Sequence, residues 1–123
     1  GVRVDTPKAI KFYEKICEEE DAEACKELGV LHYGNKSYSK AAKSYTKACA
    51  LKNGEACYWL GILYGEKEGV ALDICKMLDY FKKACDNGYY YGCSDYEYYN
   101  YMIRISGKTN GGASCETRKL LGY

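Results

Sequence analysis

The sequence predicts an all-α protein, an α/α solenoid of three disulfide-stapled helix–turn–helix repeats followed by an irregular C-terminal segment. Six of the eight cysteines form pairs of identical internal spacing, Cys17/Cys25, Cys49/Cys57 and Cys85/Cys93. Successive pairs are offset by 32 and 36 residues, the interval of stacked supersecondary units. A single proline stands in a chain rich in Lys, Glu, Ala and Leu, so little interrupts a helical hydrogen-bond ladder.

Thr6 reads as the cap of a first helix over 6–20, with Pro7 at N1, where its missing N–H costs nothing. Helices follow over 21–33, 38–52, 54–64, 71–86 and 89–104. Asn53-Gly54 and Asn87-Gly88 suit left-handed stops for the third and fifth. The units run over 1–33, 34–64 and 65–104, within one domain of 1–123. Residues 105–123 are read as a C-terminal cap or tail, in which 107–123 are expected to form a Gly-rich turn and a short closing helix from Ser114. Gly29 and Gly61 fall in mid-helix, where glycine costs about 1 kcal/mol against alanine, so both are read as points of close helix approach. In the last helix Tyr96-Glu97 replaces the Leu-Gly pair found at Leu28-Gly29 and Leu60-Gly61.

Composition narrows the function classes. Hydrophobic residues make up 47% and charged residues 28% of 123 residues, which suits a packed core and not disorder. The net charge of +1 argues against wholesale capture of nucleic acid. No apolar run approaches the roughly 18 residues of a membrane-spanning helix. The chain opens at Gly1-Val2 without a basic and apolar leader, so any signal peptide has been removed or left out. An even count of eight cysteines in so short a chain reads as a disulfide framework and an oxidising address, periplasmic or secreted. Zinc is the competing reading. Without a C-x-x-C spacing, and with His32 as the single histidine, neither a metal nor another cofactor is expected.

The flanking text repeats with the cysteines: Lys8-Ala9…Tyr13…Lys15-Ile16-Cys17, Lys40-Ala41…Tyr45…Lys47-Ala48-Cys49, and Lys76…Tyr80…Lys83-Ala84-Cys85. Ala24-Cys25…Leu28-Gly29 recurs as Ala56-Cys57…Leu60-Gly61, and Gly1-Val2…Asp5 as Gly69-Val70…Asp73. Over roughly residues 1–96 this pattern resembles the Sel-like repeats, α/α units related to tetratricopeptide repeats. The cysteine pair eight positions apart resembles that of the secreted Helicobacter cysteine-rich proteins within that class. The resemblance implies secretion from a bacterium and contact with host or envelope molecules. It also carries an expectation of penicillin binding and weak β-lactamase activity.

An antiparallel helix pair sets the last turn of one helix beside the first turn of the next. Bridges Cys17–Cys25, Cys49–Cys57 and Cys85–Cys93 are therefore expected, each restricting the unfolded chain by ~2.5 kcal/mol in a disputed entropy treatment. Cys75 and Cys115 remain. A bridge between them would pin the tail across the fifth helix; the alternatives are two free thiols or a thiol bonded to a partner.

Candidate chemistry is sparse, and no catalytic residue is assigned. Ser37-Tyr38-Ser39-Lys40, Ser94-Asp95-Tyr96 and Lys108-Thr109-Asn110 follow the order of the serine β-lactamase motifs, but the last two end in the wrong residue. Lys40 is also accounted for by the repeat, as the counterpart of Lys8 and Lys76. Ser106-Gly107-Lys108-Thr109 lacks the earlier glycine of a phosphate loop, since Met102 stands there. His32 is assigned to a helix end or the surface.

A binding surface is the stronger expectation. Lys8, Lys11 and Lys15, then Lys40, Lys43 and Lys47, then Lys76 and Lys83 recur at steps that keep each set on one helix face. Stacked helix pairs align such faces, and in related solenoids they line the concave side. The functional reading is a groove for a peptide, a protein (a host protein included) or a wall-derived ligand carrying carboxylates. The competing reading is a solvated face whose lysine stems shield apolar surface. Tyrosines 89, 90, 91, 96, 98, 99 and 101 crowd the last helix, read as an end cap, with a partner or sugar site as the rival. A monomer is expected, and a structural spacer within a longer array is a further alternative.

Overall fold

A computed structural model describes residues 5–66, 73–106 and 115. Six α-helices follow one another: α1 (Thr6–Glu18), α2 (Ala22–Gly34), α3 (Tyr38–Ala50), α4 (Gly54–Glu66), α5 (Ile74–Asp86) and α6 (Tyr90–Ser106). Each packs chiefly on its neighbours in sequence, as in a solenoid. No strand occurs among the described residues.

The corners are built by a repeated set of residues. Asp5, not Thr6, caps α1; its carboxylate accepts the Lys8 N–H at 3.2 Å, and Thr6 is already helical. Asp21, Asn53 and Asp73 cap α2, α4 and α5 in the same way, at 2.9, 2.9 and 3.0 Å. Each satisfies one of the N–H groups a helix start leaves unpaired. Ser37 holds the corresponding place before α3 but makes no side-chain cap bond.

Left-handed residues follow each odd-numbered helix at one repeat position: Glu20 (φ 64°), Lys52 (φ 70°) and Gly88 (φ 86°). The expected stop at Asn53-Gly54 is therefore one residue late. Lys52 takes the left-handed place, Asn53 caps the next helix, and Gly54 is that helix's first residue. Around Lys52 the N–H of Asn53 bonds the Ala48 carbonyl at 3.0 Å and that of Lys52 bonds Cys49 at 2.9 Å. This is a Schellman closure, which consumes two residues of the expected helix. It explains why α1 and α3 end at Glu18 and Ala50 instead of at 20 and 52. The turn and closing helix expected over 107–123 lie outside the described residues, apart from Cys115.

Packing follows the repeat. An added Cβ on Gly29 would stand 2.6 Å from the Tyr45 ring, and one on Gly61 would stand 2.8 Å from the Phe81 ring. Tyr45 and Phe81 are 3% and 0% exposed. Each fills a notch that only glycine leaves open, so α3 lies close on α2 and α5 on α4. Gly92 plays a related part against Ala84, at 2.5 Å. The third position in the Gly29/Gly61 series is Glu97, which is exposed on α6.

The eight sulfurs form four pairs at disulfide distance: Cys17 with Cys25, Cys49 with Cys57, Cys85 with Cys93, and Cys75 with Cys115. Their Cα atoms are 4.7, 4.7, 4.5 and 5.4 Å apart, within the normal span of a bridge. Such pairs fit an oxidising compartment. No helix among the described residues is long and apolar enough to cross a membrane.

Non-reducing peptide mapping is expected to recover these four pairs; a free thiol or a crossed pairing would contradict them. Gly61→Ala is expected to destabilise the chain by about 1–3 kcal/mol in urea unfolding, because Phe81 has no room to give way. Gly34→Ala meets no atom within 4 Å and should change stability by less than about 0.5 kcal/mol.

Candidate functional site

The odd-numbered helices each bury one stripe and expose the other. On α3 the buried set is Ala41, Ala42, Ser44, Tyr45, Ala48 and Cys49, which leaves Lys40, Lys43 and Lys47 in solvent. Lys8, Lys11, Lys15, Lys76 and Lys83 are exposed as well.

These lysines do not form one uniform basic column. Asp79 on α5 holds the place of Lys11 and Lys43, and Glu14 and Glu18 interrupt the row on α1. At the α5 end, Lys76 and Lys83 lie over the rings of Tyr64 and Tyr80, 5.2 and 4.9 Å from the centroids. Those rings stack on each other at 5.7 Å and 8°. These lysines are thereby tied to aromatic faces by cation–π attraction.

Between α1 and α3 the surface opens into a groove of about 210 Å³ lined by Glu14, Cys17, Glu18, Leu28, Lys43, Ser44 and Lys47. Of the eight lysines it takes in only Lys43 and Lys47. The repeat explains the opening. Counted from the cysteines, Phe81 and not Tyr80 holds the place of Tyr45, so Ser44 corresponds to Tyr80 and His32 to Tyr64, and the next interval along the solenoid carries stacked rings where this one has Ser44 and His32. Ser44 begins a Ser-x-x-Lys spacing with Lys47 that the repeat accounts for, and its place opposite a tyrosine in the following unit is readable in the sequence. A larger hollow of about 300 Å³ lies between α4, α5 and α6. It is lined by apolar side chains such as Met77, Phe81 and Ile103, with Glu66 its one ionisable carboxylate, and so offers few groups for polar recognition.

His32 is in the last turn of α2, as expected, but it is buried and not on the surface. Burial pushes its imidazole below the ordinary value, the Lys40 charge adds to this, and Glu14 opposes it. Ser37 precedes α3 and Lys40 is solvent-exposed. Asp95 accepts the Tyr58 hydroxyl at 2.7 Å, a bond that joins α4 to α6. Lys108 and Thr109 lie outside the described residues.

A second cluster escaped the sequence reading. The Lys26 ammonium lies 2.8, 3.1 and 3.4 Å from Glu23, Glu27 and Glu55, and its side chain is 11% exposed. Burial alone would lower its pKa. Hydrogen bonds to Glu23 and Glu27 and the charges of Glu55 and Glu27 outweigh that and hold it well above the ordinary lysine range. Trp59 Nε1 donates to Glu55 at 3.4 Å and Asn53 donates to Glu23 at 3.3 Å. The cluster ties α2 to α4. Only the Glu23-x-x-Lys26 spacing hinted at it.

Tyr89, just before α6, and Tyr99 on it have ring centroids 5.3 Å from Tyr58 and 6.0 Å from Phe81, although Tyr99 keeps 39% of its surface exposed. Tyr90, Tyr91, Tyr98 and Tyr101 remain mostly exposed.

The family model of the Sel1 repeat matches residues 1–21, 22–53 and 54–89. The chain belongs to the Sel1 repeat family. Its units 22–53 and 54–89 pair α2 with α3 and α4 with α5, so the family cut falls between the two cysteines of a pair and each bridge crosses a unit boundary. The crystal structure of a Sel1 repeat protein from Oxalobacter formigenes is similar, with a TM-score of 0.58 and 24% identity over 64% of this chain and 34% of that one. The match thus spans about a third of that protein's length, and at this identity the likeness is one of fold. Among curated proteins none matches the sequence. Sel1 repeats are generally protein-interaction modules.

Because its folded pKa is depressed, His32 binds a proton less readily in the native chain than in the unfolded one. Its contribution is fully present above the unfolded value near 6.5 and is lost as pH falls below it. The wild type is therefore expected to lose stability more steeply than His32→Gln between about pH 7 and pH 5; equal slopes in urea unfolding would refute this.

Proposed function

We propose that this Sel1 chain is a secreted or periplasmic, non-enzymatic binding module that holds a carboxylate-bearing peptide or protein segment against the α1–α3 face. The observation that carries this reading is the groove itself, open where the next interval carries stacked rings, with Lys43, Lys47 and Ser44 on one wall and Leu28 among its lining. An apolar base with a few polar groups on its rim is the common form of a recognition site. The cysteine pairs supply what such a site needs, since staples between neighbouring helices keep its walls from shifting when a ligand binds. They also support the oxidising location, and the eight-position pairing supports kinship with the Helicobacter cysteine-rich proteins. The same surface suits a wall-derived peptide, which carries carboxylates on a short backbone.

The test is neutralisation of the basic wall. Lys40→Gln, Lys43→Gln and Lys47→Gln together are expected to weaken binding of a peptide bearing Glu side chains by about tenfold or more at low salt, as three exposed charge pairs would. The wild-type affinity should fall as salt rises. A loss of less than about twofold would remove the basic wall from the reading.

A further inference from the structure

We propose that the α1–α3 groove recognises a dipolar segment, one that offers a carboxylate to Lys43 and Lys47 and an ammonium group to Glu14 and Glu18. This rests on the binding-module reading above and names the ligand chemistry of the same groove.

The charges lining the groove are sorted by helix. The α1 wall supplies Glu14 and Glu18; the α3 wall supplies Lys43 and Lys47. Each pair is four residues apart, so one helical turn separates its members and both stand on the same face. Opposite signs lining one shallow, open groove would normally pair across it. Among the described residues, none of these four side chains makes an ion pair, whereas Lys8 and Lys26 both do. The two walls are thus held apart with their charges unneutralised by each other.

The arrangement occurs once. In the following interval the positions of Glu14 and Glu18 are Thr46 and Ala50, which are neutral, and the Thr46 hydroxyl is engaged with the Ala42 carbonyl at 2.6 Å. There the positions of His32 and Ser44 are filled by the stacked Tyr64 and Tyr80. A two-signed, open slot is therefore a departure from the repeat at Glu14, Glu18 and Ser44, which line one groove, with His32 changed beside them on α2. A purely anionic ligand would meet Glu14 and Glu18 as repulsion, and a purely cationic one would meet Lys43 and Lys47. Only a segment carrying both signs is favoured by both walls.

The His32 ring adds to the case. It is 9% exposed, makes no hydrogen bond among the described residues, and lies one turn beyond Leu28 on α2, within the electrostatic reach of both Glu14 and Lys40. His32 is not among the residues that line the groove, so it marks the departure of this interval from the repeat, where Tyr64 stands in the next, and is not a ligand contact.

Three end-blocked peptides of equal length test this: one with Glu and Lys side chains two residues apart, one with Glu at both places, one with Lys at both. Titration of the oxidised protein is expected to show the mixed peptide binding about tenfold tighter than either single-sign peptide. Its chemical-shift changes should centre on Leu28 and Ser44. Glu14→Gln with Glu18→Gln should move the preference to the Glu peptide, and Lys43→Gln with Lys47→Gln should move it to the Lys peptide. If the Glu peptide binds the wild type as well as the mixed one does, and Glu14 and Glu18 can be neutralised without changing that order, the dipolar reading falls while the binding module stands. Shifts centred on the α6 tyrosines would also overturn it. Failure of all three peptides to bind would overturn both readings.

Discussion

The seating of one aromatic ring in a glycine notch sets the geometry of this chain. Tyr45 on Gly29 and Phe81 on Gly61 bring each odd-numbered helix down onto its predecessor. Those distances decide where every outward-facing side chain ends up. With the rings buried, the lysine face of α3 is turned outward, and α1 lies near enough to form a groove with it. A methyl group at either glycine would push the helices apart and carry the groove walls with them. The cysteine pairs act at the corners, so α2, α3, α4 and α5 are each held in mid-helix by a ring and at one end by a bridge.

Much of this was legible in the residues. The cysteine intervals, the Lys-Ala…Tyr…Cys text and the mid-helix glycines each have a local physical meaning, and the structure shows six helices and the two glycine contacts where that meaning put them. The corners were read less well. Asn53 and Gly54 have the composition of a stop, yet they begin the next helix. The left-handed turn can be taken by Lys52 at modest strain when a Schellman closure supplies two hydrogen bonds in return, and by Glu20 with the bond from its N–H to Cys17. Capping by Asp5 instead of Thr6 is the same kind of shift, since both residues can accept the N–H and position alone decides.

The site was half legible. Periodicity placed the lysines on one face, but it treats every unit alike, and the proposed recognition depends on how the units differ. Ser44 against Tyr80, His32 against Tyr64, and Glu14 against Thr46 are small substitutions in a repeating text. Their effect appears only when two helices far apart in sequence are set side by side. The Lys26 cluster was missed for a related reason: Glu55 reaches it from the next unit, across 29 positions of sequence.

Glu97 bears on how such a chain can lengthen. A newly added helix settling on α6 would bring its ring to a carboxylate instead of a recess, and would have to strand that charge in the seam or stand off from it. Duplication of an inner stretch would meet no such obstacle, because each copy would carry its own recess. Growth by insertion is therefore easier for this architecture than growth by extension beyond α6, and evolutionary change in length is channelled toward its middle.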